Sequence, residues 1–324
     1  MNPVYSLVVP IYNEEAVLPV LLHRLDALLP RLDGAAEVIF VDDGSTDASP
    51  ILLEARARHD SRYRFLKLSR NFGQQVAMTS GMARARGQAV VLMDADLQDP
   101  PEVVLELIAK WREGFEVVYA QRLSRDGEGR FKLLTSKLFY RLLGRLSEVE
   151  IPRDVGDFRL VDRKALDAFL AMPERDPFLR GMFTWVGFRQ TVAPFHRPAR
   201  AAGQTKFSLA KMLRLAASGV VSFSDAPLRA ALWLGVAVCL IAAAYALIVV
   251  SMWAAGANLA RGWSSIIVVT TFLGGANMLM TGVLGVYIGR IHAEVKRRPL
   301  YFVDRAVGFE AQAQTSDDAR ERAA

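Results

Sequence analysis

Short apolar runs alternate with amphipathic stretches between Tyr5 and Ala120, and this alternation constrains the fold more than any other feature of the sequence. Short apolar runs are typical of buried strands, and the stretches between them have helical periodicity. Strands that alternate with helices form parallel sheets covered on both faces. The sequence therefore predicts an α/β domain with a doubly wound parallel sheet. The predicted strands are 6–11, 37–41, 64–68, 89–93 and 116–120, and the predicted helices are 14–29, 50–59, 73–86, 101–113 and 131–146.

Three of the predicted strands end in acidic or aromatic clusters, at residues 10–14, 42–47 and 94–98. Ligands of doubly wound sheets bind at the carboxyl ends of the strands. A carboxylate accepts hydrogen bonds from a nucleobase or a ribose, and the ring of Tyr12 can stack on a base. Turn formation explains each cluster taken alone. Three such clusters at one edge favour a nucleotide-binding site.

Asp94 and Asp96 follow the predicted strand 89–93 and are two residues apart. In an extended backbone this spacing places both carboxylates on the same side. Paired oxygen ligands suit Mg²⁺ or Mn²⁺, which keeps open positions for a phosphate-bearing ligand. An ordinary polar turn is the alternative interpretation of the pair. Asp99 is predicted to cap a helix that begins with two prolines and Glu102.

The first predicted strand is followed neither by G-x-x-x-x-G-K-S/T nor by G-x-G-x-x-G. The absence of both motifs argues against a P-loop nucleotide hydrolase and against a dinucleotide oxidoreductase. A bound diphosphate would instead be neutralised by the metal and by cations such as Arg122, with Arg70 as a weaker candidate. The charged loop 122–130 is either a lid over the phosphates or an ordinary solvated loop. Asp157 is a candidate catalytic carboxylate, with a helix cap or a salt bridge as the alternative.

Two long runs without Asp, Glu, Lys or Arg, at residues 230–260 and 262–289, predict two membrane spans. Each run exceeds the roughly 20 residues that a spanning helix needs, and tryptophans lie near the ends of the runs, as at membrane interfaces. The connector contains one cation, Arg261, whereas cations are frequent on both outer flanks. The positive-inside rule then places both flanks in the cytosol. The basic and amphipathic segment 197–223 is predicted to be interfacial, and a surface helix packed on the domain core is its alternative.

Charge, cysteine content and the first residues of the chain indicate the compartment of the protein and the kind of partner it binds. The net charge is +6, and its cations cluster around the apolar runs, which favours an anionic membrane surface over nucleic acid. Cys239 is the only cysteine, so a disulfide framework is excluded. The first residues lack the pattern of a signal peptide, so the N-terminal part is expected in the cytosol. The tail after Glu310 is predicted to be disordered.

Four motifs, in this order along the chain, resemble those of family 2 glycosyltransferases of the GT-A fold. They are V-P-I-Y-N-E-E at 9–15, V-D-D-G-S-T-D at 41–47, R-N-F-G at 70–73 and D-A-D-L-Q-D-P-P-E at 94–102. Within that family, G-D-F-R-L at 156–160 and the two apolar runs resemble bacterial polyprenyl-phosphate glycosyltransferases, which are relatives of dolichol-phosphate mannose synthase. The resemblance covers residues 5 to about 303.

This resemblance implies an inverting, metal-dependent transfer of one sugar from a UDP- or GDP-linked donor, with UDP expected, to a polyprenyl phosphate such as undecaprenyl phosphate. The reaction would serve cell-envelope glycan modification at the bacterial inner membrane, with the catalytic domain and both termini in the cytosol. The implied organisation is a catalytic GT-A domain at 1–160, an acceptor-side interfacial segment at 161–227, a transmembrane hairpin at 228–289 and a basic cytosolic segment with the tail at 290–324. The sequence leaves open whether the chain forms a homo-oligomer.

The resemblance also implies the roles of individual residues. The positions that match donor-binding residues of the family are Pro10, Tyr12, Glu14, Val41, Asp42, Asp43, Asp94, Ala95, Gln98 and Arg122. Asp94, Asp96 and Gln98 match the metal and diphosphate positions, with Asp96 and Asp157 as the expected catalytic carboxylates. Arg200 and Lys206 match cations that face the acceptor phosphate.

Two departures from the family patterns qualify the resemblance. G-Q-T-K-F at 203–207 has a glutamine where many relatives have a glutamate, so the role of that glutamate has no counterpart here. The Q-x-x-R-W motif of processive synthases is absent around residues 183–185, which favours a single transfer. The alternatives are a sugar nucleotidyltransferase, and a non-catalytic membrane partner of a lipid-sugar flippase.

Overall fold

The structure is a computed structural model, and it describes residues 3–123, 155–172, 174, 179–195, 226–255 and 262–309. The strands in these ranges are β1 (Tyr5–Ile11), β2 (Ala36–Asp42), β3 (Tyr63–Leu68), β4 (Ala89–Leu92), β5 (Val117–Arg122), β6 (Val155–Asp162), β7 (Gln190–Phe195) and β8 (Val303–Val307). The helices are α1 (Leu18–Leu28), α2 (Ser49–His59), α3 (Gln74–Met82), α4 (Val104–Arg112), α5 (Arg163–Leu170), α6 (Leu179–Trp185), α7 (Ala226–Ala254) and α8 (Trp263–Val295). Two 3₁₀ turns span Leu29–Arg31 and Pro101–Val103.

The described strands form one mixed sheet in the order β7-β5-β6-β4-β1-β2-β3-β8. The neighbours within β4-β1-β2-β3 are parallel, as the sequence predicts. The predicted parallel sheet is therefore confirmed in part, because β6 lies antiparallel between β4 and β5, and β8 is antiparallel to β3. This mixed α/β sheet is consistent with a GT-A fold. It also extends beyond residue 160, the predicted end of the catalytic domain, because it includes β7 and β8.

Helix α1 shows how the sheet is covered. Its buried residues are Leu18, Leu21, Leu25 and Leu28, and their spacing places them on one face of the helix. They join a core that also contains alternate residues of β1, such as Leu7 and Val9. The β1 strand is buried on both faces, which explains its continuous apolar sequence.

Two helix starts differ from the predictions. Helix α1 begins at Leu18 rather than at Glu14, because the backbone amides of residues 13–15 donate hydrogen bonds to side chains of the loop after β2 and of the first residue of α2. Asp99 does not cap the turn that begins at Pro101. It forms an ion pair with Arg122 instead. The predicted helix 131–146 lies outside the described residues.

Helices α7 and α8 belong to a compact unit separate from the sheet. Both are long, with 29 and 33 residues. Among the described residues, one helical segment, Phe272–Val295 of α8, has the length and the apolar composition to cross a membrane. The predicted two-span hairpin is therefore not confirmed. The connector 256–261, the interfacial segment 197–223 and the tail after 310 lie outside the described residues.

Gly44 allows two loops at the carboxyl edge of the sheet to approach each other. Its φ is +74°, and a Cβ there would lie 2.6 Å from the carbonyl carbon of Arg70 and 2.7 Å from the amide nitrogen of Asn71. Backbone atoms cannot move aside as a flexible side chain can. The close approach therefore requires glycine at this position.

We expect Gly44→Ala to lower the free energy of unfolding by about 1–3 kcal/mol, from left-handed strain and the displaced loop. Gly73→Ala is a suitable control, because Gly73 also has a positive φ, +101°, but has open space around its Cβ position. Thermal unfolding monitored by circular dichroism should show the larger loss for Gly44→Ala. Equal losses would mean that the contact with residues 70 and 71 contributes nothing.

Candidate active site

A cavity of about 380 Å³ opens at the carboxyl ends of β1, β2 and β4. These strands are adjacent and parallel, so the loops after them converge on one place. The residues that line the cavity are Pro10, Ile11, Tyr12, Glu14, Asp43, Asn71, Gly73, Gln74, Asp94, Ala95 and Asp96. Seven of the residues predicted to bind a nucleotide or a metal therefore face one space. Tyr12 is exposed and can offer its ring to a planar group.

The two aspartates that end β2 have different roles. Asp42 is fully buried, and its carboxylate accepts hydrogen bonds from the amide of Ser45 at 3.2 and 3.3 Å. Burial raises its pKa, against the opposing effect of Ser45. Asp42 is not among the residues that line the cavity, and its hydrogen bonds stabilise the turn that contains Ser45.

Asp43 holds the loop that precedes α3. Its carboxylate accepts hydrogen bonds from the amides of Phe72 at 2.7 Å and Gly73 at 2.9 Å. Burial raises the pKa of Asp43, although these two amides and Arg70 act in the opposite direction. The guanidinium of Arg70 lies 4.0 Å from the centre of the Phe72 ring. Arg70 thus takes part in shaping the loop.

Asp94 and Asp96 lie just beyond β4, and both face the cavity, as predicted. Asp94 is half-buried, whereas Asp96 is exposed and accepts a hydrogen bond from the amide of Gln98 at 3.1 Å. Burial, together with the carboxylates of Asp157, Asp96 and Asp99, raises the pKa of Asp94 to about 7. This concentration of negative charge in one cleft would be relieved by a divalent cation.

The donor set fits Mg²⁺ or Mn²⁺ bound jointly with a phosphate ligand. Within the part of the chain that the structure describes, no three His, Cys, Asp or Glu side chains form a group that could hold a metal. Mg²⁺ is commonly bound by one or two carboxylates plus substrate phosphates and water. Asp94 and Asp96 would supply the carboxylates. The third predicted ligand, Gln98, does not line the cavity.

Asp157 lies on β6 and is held by two arginines. Its Oδ1 accepts a hydrogen bond from Nε of Arg180 at 2.9 Å and lies 3.4 Å from Nη2 of Arg159. Its Oδ2 accepts a hydrogen bond from Nε2 of Gln75 at 3.2 Å. Burial would raise the pKa of Asp157, but Arg180 and Arg159 overcome this effect and hold it below the usual value. A carboxylate stabilised in this way is a weak base.

Arg122, the predicted phosphate-binding cation, ends β5 and is fixed from two sides. Asp99 is buried, and its oxygens lie 2.9 Å from Nη2 and 3.3 Å from Nε of Arg122. Gly156 lies beneath the guanidinium, because a Cβ there would be 3.0 Å from Nη2 of Arg122. Bidentate pairing of this kind sets the direction of an arginine side chain. The remaining predicted donor residue, Val41, is a core residue beside Gly81 of α3.

The roles of three residues near the site were not predicted from the sequence. Asn71 and Gln74 line the cavity, and Arg180 pairs with Asp157. Asn71 lies in the R-N-F-G motif, which was a usable signal, whereas Arg180 has no motif. Arg200 and Lys206, the predicted acceptor-phosphate residues, lie outside the described residues.

Comparison with known proteins identifies relatives over almost the whole chain. The sequence profile described as Glycosyl transferase family 2 matches residues 6–170. An uncharacterized glycosyltransferase of Bacillus subtilis, YkcC, is 45% identical over 94% of this chain and 95% of its own length. The prophage bactoprenol glucosyl transferase homolog of Escherichia coli is 39% identical over 93% of this chain and 98% of its own length. The bactoprenol glucosyl transferase of Shigella phage SfII is also 39% identical, over 93% of this chain and 97% of its own length.

Among solved structures, glucosyl-3-phosphoglycerate synthase from Mycobacterium tuberculosis in complex with Mg²⁺ and UDP has a TM-score of 0.49 and 20% sequence identity. The alignment covers 68% of this chain and 77% of that one. The assignment of the family depends on the sequence matches, which extend over half of this chain or more at identities well above 30%. The chain belongs to glycosyl transferase family 2.

Proposed function

We propose that this protein transfers a single sugar from a nucleotide sugar, expected to be UDP-linked, to the phosphate of a membrane polyprenyl phosphate such as undecaprenyl phosphate. The observation that carries the proposal is the cavity in which Tyr12, Asp43, Asp94 and Asp96 meet. An exposed aromatic ring, a hydrogen-bond acceptor and a carboxylate pair correspond to the base, the ribose and the metal-bound diphosphate of such a donor. The names of the E. coli and phage relatives support a polyprenyl acceptor.

The chemistry follows from where charge develops during transfer. As the sugar leaves the diphosphate, negative charge grows on the leaving group, and groups fixed in advance around it lower the barrier. A divalent cation held by Asp94 and Asp96 would supply positive charge there. Arg122 is already oriented by Asp99, so it can approach the diphosphate without first losing side-chain freedom. Inversion at the anomeric carbon is the outcome that the family resemblance implies.

Asp157, one of the two expected catalytic carboxylates, does not act as a general base in this proposal. A phosphate monoester has a second pKa of about 6, so the acceptor is already largely dianionic near neutral pH. It needs little deprotonation, and the lowered pKa of Asp157 makes that side chain a poor proton acceptor. Asp157 instead orients Arg180, which lies at the same end of the sheet. We therefore assign Asp157 as a positioning residue.

Product analysis tests the proposal directly. Membranes that contain the full chain are incubated with undecaprenyl phosphate, Mn²⁺ and a panel of UDP- and GDP-sugars, and the lipids are analysed by mass spectrometry. The expected product is one sugar joined through a phosphate to the polyprenol. A nucleotidyltransferase would instead consume a nucleoside triphosphate and a sugar phosphate. A non-catalytic membrane partner would form neither product.

We expect Arg200→Ala and Lys206→Ala each to raise the KM for the polyprenyl phosphate about tenfold or more, the loss expected for a charge-assisted phosphate contact. Binding of the nucleoside diphosphate with Mn²⁺ should change little. KM for the lipid and calorimetric binding of the diphosphate distinguish the two effects. A loss of donor affinity with an unchanged lipid KM would instead place these residues at the nucleotide. Neighbouring Arg197→Ala is the control for a general attraction to anionic lipid, worth about 1 kcal/mol per cation.

The proposed membrane arrangement has two spans with a short external connector, and both flanking regions lie in the cytosol of a bacterial inner membrane. A cysteine introduced at Gly256 or Asn258 into a Cys239→Ala background should react with an impermeant thiol reagent applied to intact spheroplasts. A cysteine at Ser316 should react only after lysis. Labelling at Ser316 in intact spheroplasts would contradict the arrangement, because nucleotide sugars are supplied from the cytosol.

A further inference from the structure

Helix α3 begins with two consecutive glutamines, and each of them contacts one carboxylate near the site. One of these carboxylates, Asp94, lies just after β4, and the other, Asp157, lies on β6. Gln74 donates a hydrogen bond from Nε2 to Oδ1 of Asp94 at 2.6 Å. Gln75 donates from Nε2 to Oδ2 of Asp157 at 3.2 Å and accepts from the amide of Leu179 through Oε1 at 3.2 Å. The first turn of α3 thus connects to the end of β4 and to β6 through side-chain amides.

The position of this turn is itself fixed by the site. Asp43 accepts hydrogen bonds from the amides of Phe72 and Gly73, immediately before Gln74. Both Asp43 and Gln74 line the cavity, together with Asp94. The Gln74 side chain is therefore presented to Asp94 by a backbone that is held from the other side of the cavity.

We propose that Gln74 is a positioning residue for the metal-binding carboxylate of Asp94. An amide N–H on one oxygen of a carboxylate fixes the rotation of that carboxylate and directs its other oxygen to the metal. Outer groups of this kind commonly contribute 10–100-fold to metal affinity. The inference rests on the proposed function only in taking Asp94 as a metal ligand.

A merely structural role for Gln74 is disfavoured by its surroundings. Its side chain is exposed and donates a hydrogen bond to Asp94, and the preceding loop is held by Asp43 without it. Replacement of an exposed side chain at the first position of a helix changes stability little. The loss of Gln74 should therefore be observed in metal binding and not in unfolding.

The test compares Gln74→Met with Gln75→Met in the full-length protein purified in detergent. Methionine has about the length of glutamine but lacks its amide. Gln75→Met is the control, because it makes the same change at the neighbouring residue, whose amide contacts Asp157 instead of Asp94. Mn²⁺ binding is measured by electron paramagnetic resonance of the free ion, in the presence of UDP and, in parallel, of GDP. Because no lipid acceptor or sugar transfer is needed, the readout does not depend on the assay of the reaction.

We expect Gln74→Met to weaken Mn²⁺ binding about tenfold, with an unchanged melting temperature, and Gln75→Met to bind Mn²⁺ within about twofold of wild type. At saturating Mn²⁺ the turnover of Gln74→Met should approach the wild-type value. Equal Mn²⁺ affinity in wild type and Gln74→Met, or equal losses in both variants, would overturn the inference and leave the proposed function standing. A wild-type protein that binds no Mn²⁺ with either diphosphate would overturn the inference and the metal site together.

Discussion

Asp94→Asn should reduce metal-dependent sugar transfer by at least about 100-fold, because loss of a direct ligand exceeds the 10–100-fold effect typical of an outer group. Asparagine keeps the volume of the side chain and removes the charge that the cation requires. The residue follows β4 at the cavity and is half-buried, so the strand and its pairing with β1 should not change. Initial rates measured over a range of Mn²⁺ and Mg²⁺ concentrations would show the loss.

The matched control for this substitution is Asp167→Asn. Asp167 is an exposed carboxylate on α5 that pairs with Arg163 one turn away, and it does not line the cavity. We expect this variant to retain full activity, and Asp96→Asn to resemble Asp94→Asn. Turnover of Asp94→Asn close to the wild-type rate, with normal membrane insertion, would show that the metal site lies elsewhere.

The second large effect concerns stability. Arg159 is fully buried on β6, and its guanidinium lies within hydrogen-bonding distance of the carbonyl oxygens of Gly156, Asp157 and Leu179 as well as Oδ1 of Asp157. Removing one partner of a buried ion pair leaves an uncompensated charge and commonly costs 3–5 kcal/mol. Because Arg180 still contacts Asp157, we expect Arg159→Met to cost about 3 kcal/mol, near the lower end of that range.

Thermal unfolding in detergent measures this loss, and a double-mutant cycle identifies its cause. If the cost arises from the isolated carboxylate, Asp157→Asn should be less harmful in the Arg159→Met background than alone. Arg159→Lys keeps the charge but loses the planar fork, so it should fall between Arg159→Met and wild type. If the effects of Arg159→Met and Asp157→Asn are additive, the loss of stability arises instead from the three backbone carbonyls that no longer accept hydrogen bonds from Arg159. A melting temperature equal to that of wild type for Arg159→Met would refute the prediction.

The central strands and the carboxylate pair were predictable from the sequence. Strands β1, β2, β4 and β5 each contain a short apolar run of the kind that burial on both faces requires, whereas Arg64 and Lys67 interrupt the apolar residues of β3. The parallel neighbours β4, β1 and β2 follow from the strand–helix alternation. Asp94 and Asp96 were placed correctly because they directly follow an apolar strand. Sequence motifs also assigned the family, which the comparisons confirm.

The tertiary structure decided what these residues contact. Strand β6 buries Asp157 and Arg159 together with the apolar residues next to them, so its alternation of charged and apolar residues does not mark a solvent-facing side as it does in a half-buried strand. It pairs with β4 through Val91 and Leu160, a long-range contact that local periodicity cannot specify. The sheet order is set by the packing of elements distant in the chain.

The same limit applies to the acidic residues of the site. In the sequence, Asp42, Asp43, Asp94, Asp96 and Asp99 are all carboxylates that follow apolar strands, and none of their contacts can be seen. Only the fold shows that one of them holds a turn, that a second lines the cavity while it holds the loop before α3, that two more line the cavity and that the last pairs with Arg122. The role of a carboxylate depends on which donors and charges surround it in space, and burial and distance to those groups are set by tertiary packing. The sequence by itself therefore determined the chemistry available at this edge of the sheet, and the tertiary structure determined its distribution among individual residues.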